Sequence, residues 1–506
     1  MLSHFTSSPP SWSSLSTLSW GLLLLTLILL LRRIIYTLLF DPLRDIPGPV
    51  LAKCSSLWLR YQRWHGRLSL TADSLLTKYN TSILRLSPNL VLINDPEAVD
   101  KAFVRKDLDT SPTSIRALRV GGHDWTVTYP QYGIARQRRH PVMIASTTKN
   151  LRTWHDDWRV DIRDMVANID RGHGERSEDI VKHLRICTLK SSQVLIGGRG
   201  VQLETSEFPR IVGEYNFLVV WRLCLPEWTF EWLKHWPLLR QASYRVRSSD
   251  MLFDLGAEIC RQAEATQDRE APNGAPNVYD LCVDPDAKYP AQSWTQPELG
   301  AEMAGQVLAA TETTSSALAF IYYELAKNPT LQQELYQELM TADTDEELDS
   351  LKLLDSCIKE GLRFRPPVAL TGSRLVPQGG LEICGHYLPE GTVITTQSLS
   401  MSRQRPDLFP DYNTYNPQRW LEEDGKSAER KRLLVPFGVG SRRCPGGNMA
   451  LYQMRMILYH TIRAFDIRLA PETTPEKMEP FEANGYRSRH DRCDLIFLSR
   501  ARGSGN

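Results

Sequence analysis

The sequence predicts a mainly α fold with small β-sheets, one large domain standing behind a single N-terminal transmembrane helix. Three observations predict it. Apolar side chains recur at helical spacing through most of the 506 residues, and the stretch Thr295–Lys327 holds that spacing for about thirty residues, longer than most globular helices. Two short stretches, Ile83–Asn94 and Leu381–Thr396, instead alternate apolar and polar residues around turns, as β-hairpins do. Finally, Thr17–Leu31 (TLSWGLLLLTLILLL) is almost wholly apolar.

That apolar run opens the chain. Arg32 and Arg33 follow it, and Ile34–Phe40 is apolar again. With the weakly polar Ser11–Leu18, a span of about twenty residues is available if the arginines snorkel. No Lys or Arg precedes the run and no small-residue cleavage site follows it, which disfavours a cleaved signal peptide. Arg32, Arg33 and Arg44 lie on the C-terminal side and should keep that side cytoplasmic. Residues 1–45 are therefore expected to form the anchor and the start of a hinge, with Ile46-Pro47-Gly48-Pro49 breaking any helix. Residues 46–506 form the globular domain.

Within it, Arg269–Pro276 (REAPNGAP) is the most loop-like stretch. Thr295 with Glu298 makes a capping-box signature, Pro297 suits the first turn, and Pro329 closes the long helix. A helix carrying Glu360 and Arg363 ends at Pro366-Pro367, and Leu381–Thr396 follows. A net charge of +1 and no long run of like charge give no argument for nucleic acid as a partner, and none is expected. Nine cysteines without a C-x-x-C pair point to reduced thiols, not a disulfide framework.

One of these cysteines carries the strongest signal. Phe437–Gly446 reads FGVGSRRCPG and fits F-x-x-G-x-R-x-C-x-G at Phe437, Gly440, Arg442, Cys444 and Gly446. Each position has a reason to be there if Cys444 gives a thiolate to a haem iron. Pro445 suits a first helical position, leaving Cys444 at a helix N-terminus that lowers a thiol pKa. Gly440 and Gly446 allow a tight turn and close approach to a flat macrocycle. Arg442 is a permanent cation for a propionate, and Phe437 shields the sulfur from water. The Gly438/Gly440 pair is no nucleotide loop, because Arg443 occupies the third glycine position.

At this motif the chain resembles the cytochrome P450 superfamily of haem-thiolate monooxygenases, in a microsomal, fungal style. Three further motifs agree in order. Ala309–Thr314 (AATETT) matches the family's acid–threonine patch, with Ala310 where glycine is common. The resemblance implies that Thr313 hydrogen-bonds the activated dioxygen and that Glu312 links the site to solvent protons. A buried threonine there can also bond back to the carbonyl four residues earlier. Glu360 and Arg363 (EGLR) sit three apart on one helical face, and Tyr415–Trp420 (YNPQRW) supplies Arg419, with Gln418 replacing the family's acid. These three residues are expected to form a structural cluster holding the cysteine loop.

The resemblance implies haem b as cofactor, with Arg374 as a second propionate partner. Arg138 is a third candidate, although Ile134 stands where the family often has tryptophan; Arg136, Arg138 and Arg139 could equally be a docking surface. With no nicotinamide or flavin fingerprint in the chain, electrons are implied to come from NADPH through a membrane-bound NADPH–cytochrome reductase. Arg430–Arg432 and Arg442-Arg443 are the basic residues near the proximal loop that could meet its acidic face. Localisation at the endoplasmic reticulum membrane, catalytic domain cytosolic, follows.

The substrate is implied to be small and hydrophobic, a secondary-metabolism intermediate, in a pocket lined from Thr110–Thr126, Tyr215–Trp236, Ala301–Thr313, Val368–Arg374 and Phe481–Tyr486. Trp221, Trp228, Phe230, Trp232 and Trp236 are expected at the bilayer interface, where such rings are favoured. Two other readings remain: a haem-thiolate isomerase or dehydratase of the same fold, and a membrane-anchored haem-binding sensor without turnover.

Overall fold

The computed structural model describes residues 12–500 except 173, 175, 205, 237, 267–274, 285–293 and 371; side chains of 12–18 are not described. Most of the loop-like stretch 269–276 therefore lies outside the described residues. Helices dominate, and the four sheets are small.

The long helix runs Gln296–Lys327 and is the spine of the molecule. Both halves of its capping box are formed, Thr295 receiving the Glu298 N–H and the Glu298 carboxylate receiving the Thr295 N–H. It is buried nearly all round, which is why its apolar residues show no single stripe. Ile180–Gly197 and Arg240–Thr266 pack along it most extensively.

Ile83–Ser87 and Leu90–Ile93 form the expected hairpin. The second hairpin is shorter than expected. Leu381–Ile383 pairs with His386–Leu388, but Val393–Thr395 leaves it to lie parallel to Leu90–Ile93, with Arg374–Leu375 on its other edge. Two distant stretches thus share one four-stranded sheet. Phe465–Leu469, Asp494–Ser499 and Glu178–Asp179 make another sheet, and Pro480–Glu482 pairs with Tyr486–Ser488.

The N-terminal helix extends over Trp12–Leu39 without a break at Arg32-Arg33. Its Ser19–Leu39 portion is long and apolar enough to cross a membrane and is almost entirely unburied. Its end touches the domain: Arg33 Nε donates to the Cys54 carbonyl at 3.2 Å, and Thr37 is buried. Asp41 then pairs with buried Arg85 at 2.7 Å, tying the segment after the helix to the first hairpin. All nine cysteines are free.

Candidate functional site

A cavity of about 410 Å³ lies between the long helix and the loop Pro436–Gly446. Cys444 is enclosed by protein yet keeps surface open to this space. Its loop is held by the Cys444 N–H donating to the Phe437 carbonyl at 2.8 Å. Phe437 and Gly446 also border the cavity, and a Cβ on Gly446 would meet nothing within 4 Å.

Gly440 serves a different purpose from the one expected. It is not on the cavity wall; its φ is +69°, and a Cβ would come within 2.0 Å of the Phe103 carbonyl oxygen. Glycine is required there by the neighbouring turn Asp100–Val104, not by a macrocycle. The helix after the cysteine starts at Gly447 with Gly446 as N-cap, so Pro445 precedes the cap instead of opening the first turn. The thiol differs from expectation too. Burial raises the Cys444 pKa, against opposition from the Gly446 N–H and the Arg139 and Arg443 charges. Without a bound cation the neutral thiol is favoured; an iron ion would supply the charge that reverses this.

Three guanidinium groups border the same cavity: Arg139, Arg374 and Arg442. None has a carboxylate within ion-pair distance among the described residues. Burial, with Arg442 and Arg139 nearby, pushes Arg374 down to about 9. Burial and Arg139 push Arg442 down to about 10. Arg442 donates to the carbonyls of Tyr129 (3.1 Å) and Pro130 (2.7 Å), with its Nε left buried and unpartnered. Arg139 holds the cysteine loop itself, donating to the carbonyls of Ser441 (2.6 Å) and Arg443.

Arg138 is placed elsewhere. It stacks on Trp294, 3.8 Å from the ring centroid, and lies 3.4 Å from Glu298, off the cavity wall. Its place is taken by Arg139, one residue along, because the helix Tyr132–Arg138 turns that neighbouring position toward Cys444. The signal lay in the Arg138-Arg139 pair, but only packing chooses between the two.

From the long helix, Ala309, Ala310, Glu312 and Thr313 face the cavity. Thr313 Oγ1 donates to the Ala309 carbonyl at 2.8 Å. Glu312 is held fast: Arg185 donates to both of its oxygens at 2.9 Å. Arg185 also binds Asp491, which Arg487 approaches at 3.1 Å. A link from Glu312 to solvent protons therefore requires this pair to open. Arg185 was not legible from the motif, since it comes from a helix more than a hundred residues upstream.

Behind the cysteine loop, Glu360, Arg363 and Arg419 meet in a fully buried cluster. Arg363 donates to both Glu360 oxygens (2.9 and 2.8 Å), Arg419 Nε to one (3.1 Å). Trp420 Nε1 (2.9 Å) and the Asn416 N–H (3.0 Å) complete the shell; neither was singled out in the sequence. Arg430 is drawn inward as well, to Asp424 and Glu422, which removes it from any docking surface.

The five pocket segments all reach the cavity, but Tyr215–Trp236 does so only through Asn216. Its wall also uses Val142, Ser146, Leu195, Val278 and Met449, outside those segments. The donor set fits haem: one open thiol, three cations lacking counter-charges beside it, and largely apolar walls.

Comparison with known proteins agrees. Residues 54–490 match the family model described as Cytochrome P450. The cytochrome P450 monooxygenase aneF of Aspergillus aculeatus is 26% identical over 473 residues, covering 89% of this chain and 93% of that protein. Fusicoccadiene 8-ol C-16-hydroxylase of Phomopsis amygdali is 26% identical (90% and 88% covered), and averantin hydroxylase of Dothistroma septosporum 25% (88% and 84%). Among solved structures, a retinoic acid bound cyanobacterial CYP120A1 superposes with TM-score 0.72 over 90% of this chain and 99% of that one, at 20% identity.

Proposed function

The chain belongs to the cytochrome P450 family as a monooxygenase, and from that premise we propose that Cys444 is its haem ligand and that it oxidises a hydrophobic small molecule of fungal secondary metabolism. The observation that carries the assignment is the open Cys444 thiol on a cavity shared with Thr313 and three unpaired arginines. Similarity to hydroxylases whose names specify a fusicoccadiene alcohol and averantin supports the substrate class.

Bound there, haem supplies reductive activation of dioxygen and transfer of one oxygen atom to the substrate. The chain supplies the surroundings. Cys444 gives the thiolate, and the Gly446 N–H steadies charge on its sulfur. Arg139, Arg374 and Arg442 hold the two propionates, gaining the counter-charges they lack. Thr313 Oγ1, its hydrogen committed to Ala309, has lone pairs with which to keep a proton-donating water in place. Glu312 adds protons when its Arg185 pair opens. The apolar wall of Ile115, Leu118, Trp125 and Ala309 excludes bulk water and accommodates a hydrophobic substrate.

Electrons come from NADPH through a separate NADPH–cytochrome reductase. Arg136, Lys431, Arg432 and Arg443 are exposed cations that suit an acidic partner. The apolar N-terminal helix anchors the enzyme in the endoplasmic reticulum membrane, with the domain in the cytosol. Cys444→Ala and Cys444→His are expected to abolish the red-shifted Soret band of the reduced, carbon monoxide-bound protein. A variant that keeps this band would exclude Cys444 as the ligand.

A further inference from the structure

Asn216 is the anomaly of the cavity. It projects from the helix Phe208–Cys224, is 2% exposed and borders the cavity, and neither its Oδ1 nor its Nδ2 has a hydrogen-bond partner. A carboxamide can make four hydrogen bonds and here makes none. Leaving such a group buried and unsatisfied costs about 1–3 kcal/mol, so its persistence in a largely apolar cavity calls for a partner.

Several other polar groups facing the cavity are spoken for. Gln306 gives its Nε2 hydrogen to Glu302 at 2.7 Å, and Thr126 gives its hydroxyl hydrogen to the same carboxylate at 2.7 Å. Thr313 is bonded to Ala309, and Glu312 to Arg185. Ser146, Thr314 and Tyr486 each leave a single hydroxyl without a partner, and Gln453 leaves its Oε1. At Asn216 a whole carboxamide, two donor hydrogens and an acceptor oxygen, is left without a partner.

We infer that Asn216 is a specificity-determining residue that binds a hydroxyl group on the substrate, donating from Nδ2 to the hydroxyl oxygen and accepting its hydrogen at Oδ1. The substrate class is then an apolar scaffold that already carries a hydroxyl, not a bare hydrocarbon. A reaction earlier in the sequence must accordingly install or unmask the hydroxyl, whether by oxygenation, carbonyl reduction, hydration, hydrolysis or a ring closure that leaves an alcohol or phenol. The inference rests on the monooxygenase reading of the cavity and narrows it.

The test uses the full-length haem-loaded protein and two matched probe pairs: a polycyclic diterpene hydrocarbon with its monohydroxy derivative, and anthraquinone with its hydroxylated derivative. Soret shifts on titration give each dissociation constant. In the parent protein the hydroxylated member of at least one pair binds about tenfold tighter, as one well-made buried hydrogen bond allows. Asn216→Leu, close in shape but without hydrogen-bonding atoms, reduces that preference to about twofold or less and leaves the unhydroxylated member's affinity unchanged. Ligand-free Asn216→Leu melts no lower than the parent, because no protein hydrogen bond is lost; a purely structural asparagine would instead melt lower on substitution. A parent protein with no preference for either hydroxylated probe, a preference that survives in Asn216→Leu, or a fall in melting temperature overturns the inference. Failure of the broader reading is separate: it is read from the absence of the red-shifted carbon monoxide band in the parent protein.

Discussion

Arg374 shows how a single side chain can be unfavourable in the bare protein and useful in the loaded one. Burial and the nearby Arg442 and Arg139 charges depress it to about 9, so its charge at neutral pH is held against resistance. Arg374→Met is therefore expected to leave the melting temperature of haem-free protein unchanged or higher. Haem loss from the same variant, followed by transfer to apomyoglobin, should be about tenfold faster, as removal of one charge-assisted hydrogen bond predicts. Loss of stability in the haem-free form would show instead that Arg374 serves the fold. Thr313 makes the opposite case: its bond to Ala309 is local and dispensable to folding. Thr313→Ala should retain haem while product formation falls by about a hundredfold and NADPH consumption is diverted into peroxide and water. Product yield per NADPH equal to that of the parent would exclude a proton-holding role.

Between elements, the decisive contact is Glu360. One carboxylate from the helix Lys352–Phe364 is the shared counter-charge of Arg363 and Arg419 and accepts from Trp420 and Asn416. Both guanidinium groups are buried, so removing the shared charge leaves them without any counter-charge. Glu360→Gln should cost about 3–5 kcal/mol, measured by denaturant unfolding, and should lower the yield of haem-loaded protein. A change within about 0.5 kcal/mol, the usual range for surface substitutions, would show that the cluster is not what fixes the segment 410–420. The spacing of Glu360 and Arg363 on one face was legible in the sequence, because three residues make nearly one helical turn. The role of Trp420 was not, since an indole N–H finds its acceptor only after two distant segments meet.

At the scale of the molecule, exposed apolar side chains gather just beyond the helix Phe208–Cys224. Trp228, Trp232 and Trp236 are exposed, as are Leu238 and Leu239 beyond them. Phe230 is buried, and half-buried Trp221 stacks on exposed Trp64, so three of the five aromatics point outward, one is half-buried and one is inside. That stack joins the helix Phe208–Cys224 to Leu57–Trp64, whose Leu57 and Tyr61 are also exposed. Deleting residues 1–45 should leave a protein that still sediments with phospholipid vesicles, only more weakly. Trp228→Ser with Trp232→Ser in that truncated form should release it. A truncated protein with no vesicle association would leave the N-terminal helix as the sole anchor.

What the sequence by itself determined was whatever depends on neighbours a few residues apart. This covers the apolar run that can span a bilayer, the capping box of the long helix, the first hairpin and the order of the four motifs. Local sterics and hydrogen bonding set these, so local residues reveal them. Tertiary structure decided what depends on long-range packing. It chose Arg139 over Arg138, clamped Glu312 to Arg185, assigned Gly440 to the Phe103 backbone and left Asn216 without a partner. Each outcome turns on which surfaces meet when distant segments bury their apolar faces together, and a motif's spacing carries no record of that.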